Sequence, residues 1–464
     1  GQPLTTRRRY AYDNVDIPAM INALAMHALI NNNDWGHKNF YMFRNTTGTG
    51  EWSLVPWDQD LSSGHTWVSA QNYFNDEIES QRGIRNGANN RLKQVIYDSP
   101  ELNRMFVRRM RTLMDEFYVS GTSTTGWYES RIPDLLDRLD PPGLPPGTKS
   151  DAQLDFEKWG FWVHGSSSSI PYTDARSGEH TIRAQAARLM TANPIPPYVG
   201  STSGAFGNNT TWTFLTGRRR YLFNVAGQNP TSGSEPIPAS QPSTPTGLSI
   251  EVVDYNPASG NADHEYFIIK NASSAYVDVS GWRVTGAGGA TVDAVDYVFH
   301  GGTVIPNFTN GVDNIGRLHV AKRPEAFRTR GGAVSGGQFR LVVGPYNGRL
   351  SSRGGTIELR NKQDQVIATT TWTANPTPVQ NDLRVSELNY APAPATTGEQ
   401  SALPGVKTAD FEFIELTNSG ATALNLANAQ FTKGVEFVFP ASFTLQPGQR
   451  TLVVANQTAF TLRY

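Results

Sequence analysis

The chain has 464 residues, with 40 Lys and Arg against 41 Asp and Glu for a formal net charge of −1, and it contains no cysteine. Near-neutral charge removes the electrostatic case for nucleic acid or an anionic membrane surface as partner, and no run approaches the ~18 apolar residues of a transmembrane helix. The lack of cysteine excludes disulfides and Cys-based zinc sites without settling the compartment, and the length suits about two to four domains.

From the N-terminus, Arg7, Arg8 and Arg9 read as a solvated basic run, with a phosphate-facing cluster as the alternative. Asp16 suits an N-cap and Pro18 a first helical turn, where a missing N–H costs little. Ile17, Ile21, Leu24 and Ala28 recur at helical spacing and define the buried face of a helix over residues 17–30. Asn31, Asn32 and Asn33 are poor helix formers, so Asp34 opens a loop directly after that helix. Residues 40–43 and 52–55 read as two short strands about a turn at 46–50, with Gly where φ > 0 is needed. Asp34 and Asp58 then fall at the open ends of one hairpin, close enough to share a metal ion.

Asp34, Asn39 five positions on, a hairpin and then Asp58 follow the order in which protein kinases place a catalytic-loop Asp, a Mg²⁺-holding Asn and a second metal-binding Asp. The Asp must reach the attacking hydroxyl while the Asn turns back to the metal, and about one loop turn separates the two directions. Taken alone, Asp-x4-Asn is also a common loop pattern, because both residues bond their own backbone. The second Asp at the hairpin end is what favours chemistry. His37 and Lys38 read either as supporting residues of the site or as surface residues of a polar loop. Asp60 reads as a further carboxylate on the metal or as a cap for the next segment. Asn39 and Asp58 offer hard oxygen ligands suited to Mg²⁺ or Mn²⁺ and not to zinc.

Residues 72–90 are polar and rich in Asn and Gly, which predicts a loop that either faces substrate or is a plain insertion. Ser99-Pro100 starts a helix on which Leu102, Phe106, Met110, Leu113 and Phe117 form the apolar stripe. Arg104, Arg108 and Arg111 fall on the other face and read as solvated. Residues 141–146 are a turn-rich break, and 152–163 and 180–190 read as further helices. Residues 227–246 turn to Pro, Ser, Thr and Gly, the composition of a linker.

Beyond the linker, strands replace helices and the sequence repeats itself. LSIEVVDYNP (248–257) matches LRVSELNYAP (383–392), EYFIIKN (265–271) matches EFIELTN (412–418), and LHVAK (318–322) matches LVVAN (452–456). Each last segment is followed by a Phe, Phe327 and Phe460. Such duplication predicts two copies of one β-sandwich. Neither copy clusters titratable residues, so a structural or adhesive spacer is the default reading.

Two resemblances follow from these residues. Asp34-x-x-His37-Lys38-Asn39-Phe40-Tyr41, then Trp52, then Pro56-Trp57-Asp58-x-Asp60 and Gly64, resembles the spore coat protein H (CotH) kinase family. These are secreted or surface-associated proteins with an atypical protein-kinase fold. More loosely, the likeness reaches Phe223 and includes Arg218, Arg219 and Arg220. The repeats resemble lamin-tail domains, immunoglobulin-like sandwiches often attached to bacterial surface proteins. The matching residues are the Glu-aromatic-x4-Asn strand and, in the first copy, Val279-Ser280-Gly281-Trp282. The second copy departs there with Ala427-Asn428-Ala429-Gln430, and it stops at Tyr464 before the counterparts of residues 342–361.

These resemblances imply a multidomain α+β and all-β chain. A kinase-like helical lobe with a short hairpin would occupy 1–226, a linker 227–246, one sandwich 247–374 and a second, incomplete one 380–464. Asp34 would be the catalytic Asp, and Asn39 and Asp58, with Asp60, would hold Mg²⁺ or Mn²⁺ beside ATP. A kinase also needs an N-terminal lobe whose strand Lys holds the α- and β-phosphates. Only thirty-three residues precede Asp34, so the chain is expected to be part of a longer protein whose nucleotide lobe lies upstream. The expected function is extracytoplasmic transfer of the ATP γ-phosphoryl group to a protein side chain. The alternative is a non-catalytic surface structural or adhesion protein that keeps the kinase-like fold.

Overall fold

A computed structural model describes residues 2–32, 34–59, 62–63, 84–85, 90–118, 126–159, 214–220, 222–223, 236–286, 294–308, 315–330, 339–431 and 434–464. The chain divides into two compact units, residues 1–349 with 356–370 and residues 350–355 with 371–464.

The first unit opens with helix α1 (Leu4–Asn14), which the sequence reading missed. Its arginines are not a solvated run: Arg8 pairs with Glu101, and Arg7 reaches Asp98 at 3.5 Å, while Arg9 is exposed. Helix α2 (Ile17–Leu29) forms as expected. Asp16 accepts the Ala19 N–H at 3.0 Å as its cap, and Ile17, Met20, Ile21, Leu24 and Ala28 are buried. Strands β1 (Phe40–Arg44) and β2 (Trp52–Pro56) pair antiparallel in register Phe40↔Pro56 to Arg44↔Trp52. Helices α3 (Arg91–Asp98) and α4 (Pro100–Leu113) follow, with a π turn at Met114–Tyr118, then α5 (Trp127–Leu139), α6 (Asp151–Trp159) and α7 (Phe214–Arg220).

Helix α4 buries Leu102, Phe106, Met110 and Leu113 as expected, while Phe117 falls half-buried in the π turn; the helix also buries Arg108 and Arg109. Arg108 donates to the Ala239 carbonyl at 2.7 Å, and Arg111 donates to the Pro238 carbonyl at 3.0 Å and to Ser240 Oγ at 2.7 Å. These two arginines are therefore anchors and not a solvated face, and the described end of the 227–246 stretch is strapped to α4. Backbone carbonyls of a Pro/Ser-rich segment lack secondary-structure partners, and guanidinium groups satisfy them. The loop expected at 72–90 falls almost wholly outside the described residues, as does the helix expected at 180–190.

The same unit holds the first sandwich. Its strands are β3 (Leu248–Asp254), β4 (Tyr266–Asn271), β5 (Val277–Asp278), β6 (Arg283–Gly286), β7 (Asp296–Val298), β8 (Val304–Ile305), β9 (Arg317–Ala321), β10 (Leu341–Val343), β11 (Gly355–Arg360) and β12 (Val366–Trp372). They build sheets ordered β10-β9-β4-β3 and β12-β11-β6-β7 and a short β5-β8 pair. The second unit has β13 (Leu383–Asn389), β14 (Phe413–Asn418), β15 (Leu424–Asn425), β16 (Gln430–Phe431), β17 (Phe437–Val438), β18 (Thr444–Leu445) and β19 (Arg450–Val454). Its sheets are β13-β14-β19, β15-β18 and β16-β17. These are the counterparts of β3-β4-β9, β5-β8 and β6-β7. Among the described residues the second sandwich has no counterpart of β10, β11 or β12.

The repeat is visible at atomic detail. In both copies the first strand carries one extra residue against its partner, between Ile250 and Val253 and between Val385 and Glu387. Asn271 ends β4 buried, and its Nδ2 donates to the Ala275 and Ile305 carbonyls at 2.7 and 3.1 Å. Asn418 does the same at the end of β14, donating to the Thr422 and Leu445 carbonyls at 2.8 and 2.9 Å. Asn suits this place because one amide pairs with buried carbonyls while its oxygen closes the next turn. Beyond Leu248 the described helices are short, at Pro324–Arg328, Pro378–Asp382, Thr397–Ala402 and Gln457–Arg463.

Candidate functional site

The residues singled out by sequence sit where α2 runs into the β1–β2 hairpin. Asp34 is buried; its backbone N–H donates to Asn32 Oδ1 at 2.8 Å, the local bonding that makes Asn a loop residue. Asn39 Nδ2 donates to Asp34 Oδ2 at 2.7 Å, and Lys38 Nζ approaches the same oxygen at 3.0 Å. The five-residue spacing thus closes a loop in which Asp, Lys and Asn meet. The contact also orients Asn39: its NH₂ is held by Asp34, so its carbonyl oxygen is the end turned toward any cation. That is the donor a hard metal requires.

Asp58 joins through the backbone. The Trp57 N–H donates to the Asn39 carbonyl at 3.0 Å, which carries hairpin pairing one step past Phe40↔Pro56 and sets Asp58 next to Asn39. Asn39 and Asp58 both have positive φ, 61° and 54°. Asp and Asn tolerate this left-handed conformation better than other non-glycine residues, and such geometry gathers at functional sites. Asp58 and His37 are exposed. Asp60 lies outside the described residues, as does Gly64. No cluster of three or more His, Cys, Asp or Glu that could hold a metal ion is found among the described residues. The outer face of the hairpin leaves Tyr41, Phe43 and Trp57 exposed, with Tyr41 and Trp57 edge to face at 5.7 Å.

Three residues without a sequence-assigned role hold this loop in place. Arg218 of α7, fully buried, donates to the Ala28 carbonyl and to the Leu29 carbonyl at 3.3 Å. A cation on the orphan carbonyls of a helix C-terminus is favourable for both hydrogen bonding and the helix dipole, and here it fixes the point where the Asp34 loop leaves α2. Tyr118 Oη adds a hydrogen bond to the Leu29 carbonyl at 3.0 Å. Lys93 of α3, also fully buried, donates to the Trp35 carbonyl and to the Gly36 carbonyl at 3.3 Å. Its ammonium lies 3.6 Å from the Trp35 ring centroid and 4.2 Å from that of Phe40, a cation–π arrangement. Burial brings its pKa down to about 7. His27 of α2 stacks on the same Trp35 ring with centroids 3.7 Å apart. Lys93 carries a sequence signal, because it shares a helical stripe with Ile96 and Tyr97. Arg218 is marked only by the looser family likeness, and its partners, about 190 residues upstream, have no signal in the sequence.

Comparison with family models matches residues 5–122 to CotH kinase protein. Residues 241–374 and 376–462 each match Lamin Tail Domain. Comparison with curated proteins finds no match. The matched CotH stretch contains Asp34, Asn39 and Asp58, and the two lamin-tail stretches coincide with the two sandwiches. The chain therefore carries a CotH-kinase segment followed by two lamin tail domains.

Proposed function

We propose that the segment around Asp34 is the catalytic-loop half of an atypical protein kinase that moves the ATP γ-phosphoryl group to a protein side chain outside the cytoplasm. The observation that supports this reading is the Asp34–Asn39 hydrogen bond, with Asp58 at the other end of the hairpin one residue past the Trp57 N–H that donates to the Asn39 carbonyl. Asp34 Oδ2 accepts the proton of the attacking hydroxyl. Asn39 Oδ1 and the Asp58 carboxylate hold Mg²⁺ or Mn²⁺, whose charge, when bound, offsets that on the phosphate oxygens. Lys38 sets a positive charge against Asp34 and can turn toward the phosphate. Tyr41, Phe43 and Val55 give the hairpin an apolar outer face close to Asp58. The lamin tail domains then serve surface attachment or binding.

One observation favours a second reading, a surface structural or adhesion protein with a kinase-like fold. Asp34 is already satisfied by Lys38 and Asn39 within the chain, a state that needs neither metal nor substrate. Labelled-phosphate transfer by the full gene product, with casein as generic acceptor and with Mg²⁺, separates the two. The kinase reading expects turnover that Asp34→Asn lowers by about 10²–10⁴-fold and Asp58→Ala abolishes. Turnover unchanged in both variants removes the assigned roles; a folded wild type that binds no Mg²⁺-ATP and transfers nothing supports the second reading.

A further inference from the structure

A cavity of 590 Å³ lies between α2, the end of β2 and the His300–Gly301 turn of the first lamin tail domain. Its apolar wall is made by Ala19, Ala23, Met26, Ile30, Leu54 and Pro56. The volume falls within the ~300–1,000 Å³ of typical small-molecule sites. The α2 residues that line it, from Asp16 through Ala19, Ala23 and Met26 to Ile30, recur every three or four positions. They form one stripe along the helix, so the cavity is elongated. Its roof is firmly seated: a Cβ at Gly302 would collide with the Pro18 carbonyl oxygen, and the Gly302 N–H donates to Ser280 Oγ at 2.9 Å.

Two of the polar lining residues are engaged by the protein, Asn22 accepting from Arg109 and Gln59 bonded to Asn32 and to the Trp57 carbonyl, and the others are Asp16, His300 and His27. Asp16 lies at one end with His300 near it. Eleven residues along α2, roughly 16 Å at 1.5 Å per residue, His27 lines the other part. His27 is 2% exposed, and neither ring nitrogen has a hydrogen-bond partner among the described residues. Burial, with Lys93 nearby, holds it at about 3, so near pH 7 the ring is neutral and offers one donor and one acceptor. A buried polar edge left unpaired is costly, whereas the stack on Trp35 needs only an aromatic ring. No lysine or arginine is found among the described lining residues, and the acidic one is Asp16, whose carboxyl pKa is pushed up by burial while the Ala19 N–H, His300 and Ser53 draw it down; an ammonium placed against it would favour the carboxylate. An anion is therefore disfavoured.

We infer that this cavity binds an elongated amphiphilic amine, with its ammonium on Asp16, its apolar body along the α2 stripe and an uncharged hydroxyl-type group on His27. A hydroxyl matches either nitrogen of a neutral imidazole, because it both donates and accepts. The site backs onto the Asp34 loop through the His27–Trp35 stack and through Gln59, which accepts from Asn32 at 2.9 Å, but it does not rest on phosphoryl transfer.

The test is calorimetric and NMR titration of the whole chain with three matched probes: 8-amino-1-octanol, octylamine and 8-hydroxyoctanoate. The amino alcohol is expected to bind saturably and to shift the His27 ring signals. Octylamine should bind several-fold more weakly, and the carboxylate at least about tenfold more weakly. Asp16→Asn keeps a good N-cap residue and should erase the preference for amine over acid. His27→Phe keeps the ring on Trp35 and should erase the preference for the hydroxyl. Ala23→Leu fills the wall with a good helix former and should abolish binding while the melting transition stays in place. Equal binding of amine and carboxylate, undiminished binding by Ala23→Leu, or no saturable binding of any probe because the cavity holds water only, would overturn the inference.

Discussion

The two lamin tail domains share a turn and use it differently. In the first, Asp278 Oδ1 accepts the Ser280 N–H at 2.9 Å; in the second, Asn425 Oδ1 accepts the Ala427 N–H at 2.9 Å. One position further stand residues of left-handed conformation, Gly281 (φ 75°) after Ser280 and Asn428 (φ 61°) after Ala427. The segment that departs in sequence thus keeps its backbone, because Asn can occupy the conformation that glycine takes freely. What changes is charge. The spare oxygen of Asp278, buried, pairs with Arg109 of α4 at 3.2 Å, and Arg109 Nε also donates to Asn22 of α2 at 2.8 Å. Asn425 has the same turn without the carboxylate. One copy has turned a turn residue into an anchor onto the CotH segment, and the fold of the domain did not require it.

The largest effect expected from that contrast is at the anchor. Arg109→Ala leaves Asp278 buried without its partner, and removing one member of a buried pair costs about 3–5 kcal/mol. Chemical denaturation of the whole chain should show this loss in the transition of the first unit, and none in that of the second. A loss below about 1 kcal/mol would reduce Asp278 to the turn role that Asn425 has.

Next come the paired asparagines. Asn271→Ala and Asn418→Ala each strand two buried carbonyls, at about 1–3 kcal/mol for an unsatisfied buried group. Because the bonding is the same in both copies, the two losses should agree to within about 1 kcal/mol. A loss confined to Asn271 would mean that the second copy does not depend on its asparagine.

The smallest effect per step is in pH. Burial holds His27 and His319, both in the first unit, at about 3. Their unfolded forms titrate near 6.5, so between 6.5 and 3 the unfolded chain binds more protons and stability rises with pH. The contribution is complete above pH 6.5 and is lost on acidification toward 3, at most about 1.4 kcal/mol per pH unit for each histidine. The second unit contains no histidine. Glu51 of the same unit, raised by burial to about 7, works in the opposite direction between pH 7 and 4.5 and offsets about one histidine. Calorimetry at pH 7, 6 and 5 should therefore lower the first transition by about one histidine's share and leave the second nearly unmoved. A parallel fall of both transitions would assign the acid response to carboxylates and not to these two rings.

Much of the molecule was legible in residues alone, for local reasons. The Asp16 cap, Pro18 and the apolar spacing of α2 act within one or two turns, and a hairpin needs only alternating strands and a glycine turn. The same holds for the candidate loop. Asp34 and Asn39 meet because five residues suffice to close on one another, so spacing carries the geometry. The duplicated strands declared two sandwiches because each copy repeats the same bulge and the same terminal asparagine.

Tertiary structure decided what side chains find at long range. Arg7, Arg8, Arg108 and Arg111 look like solvated charge in a helical pattern, and each gains an ionic or backbone partner only when distant segments pack against it. Arg218 reaches the end of α2 across about 190 residues, and Arg109 meets Asp278 across 169. No periodicity encodes such pairs, because a guanidinium is stable in water as well as beside a buried carbonyl or carboxylate. Its choice depends on what the fold has removed from solvent. The sequence by itself determined the elements, the repeat and the Asp-Asn-Asp order; the cavity against α2 and the ion pair that joins the first lamin tail domain to the CotH segment exist only because those surfaces come together in three dimensions.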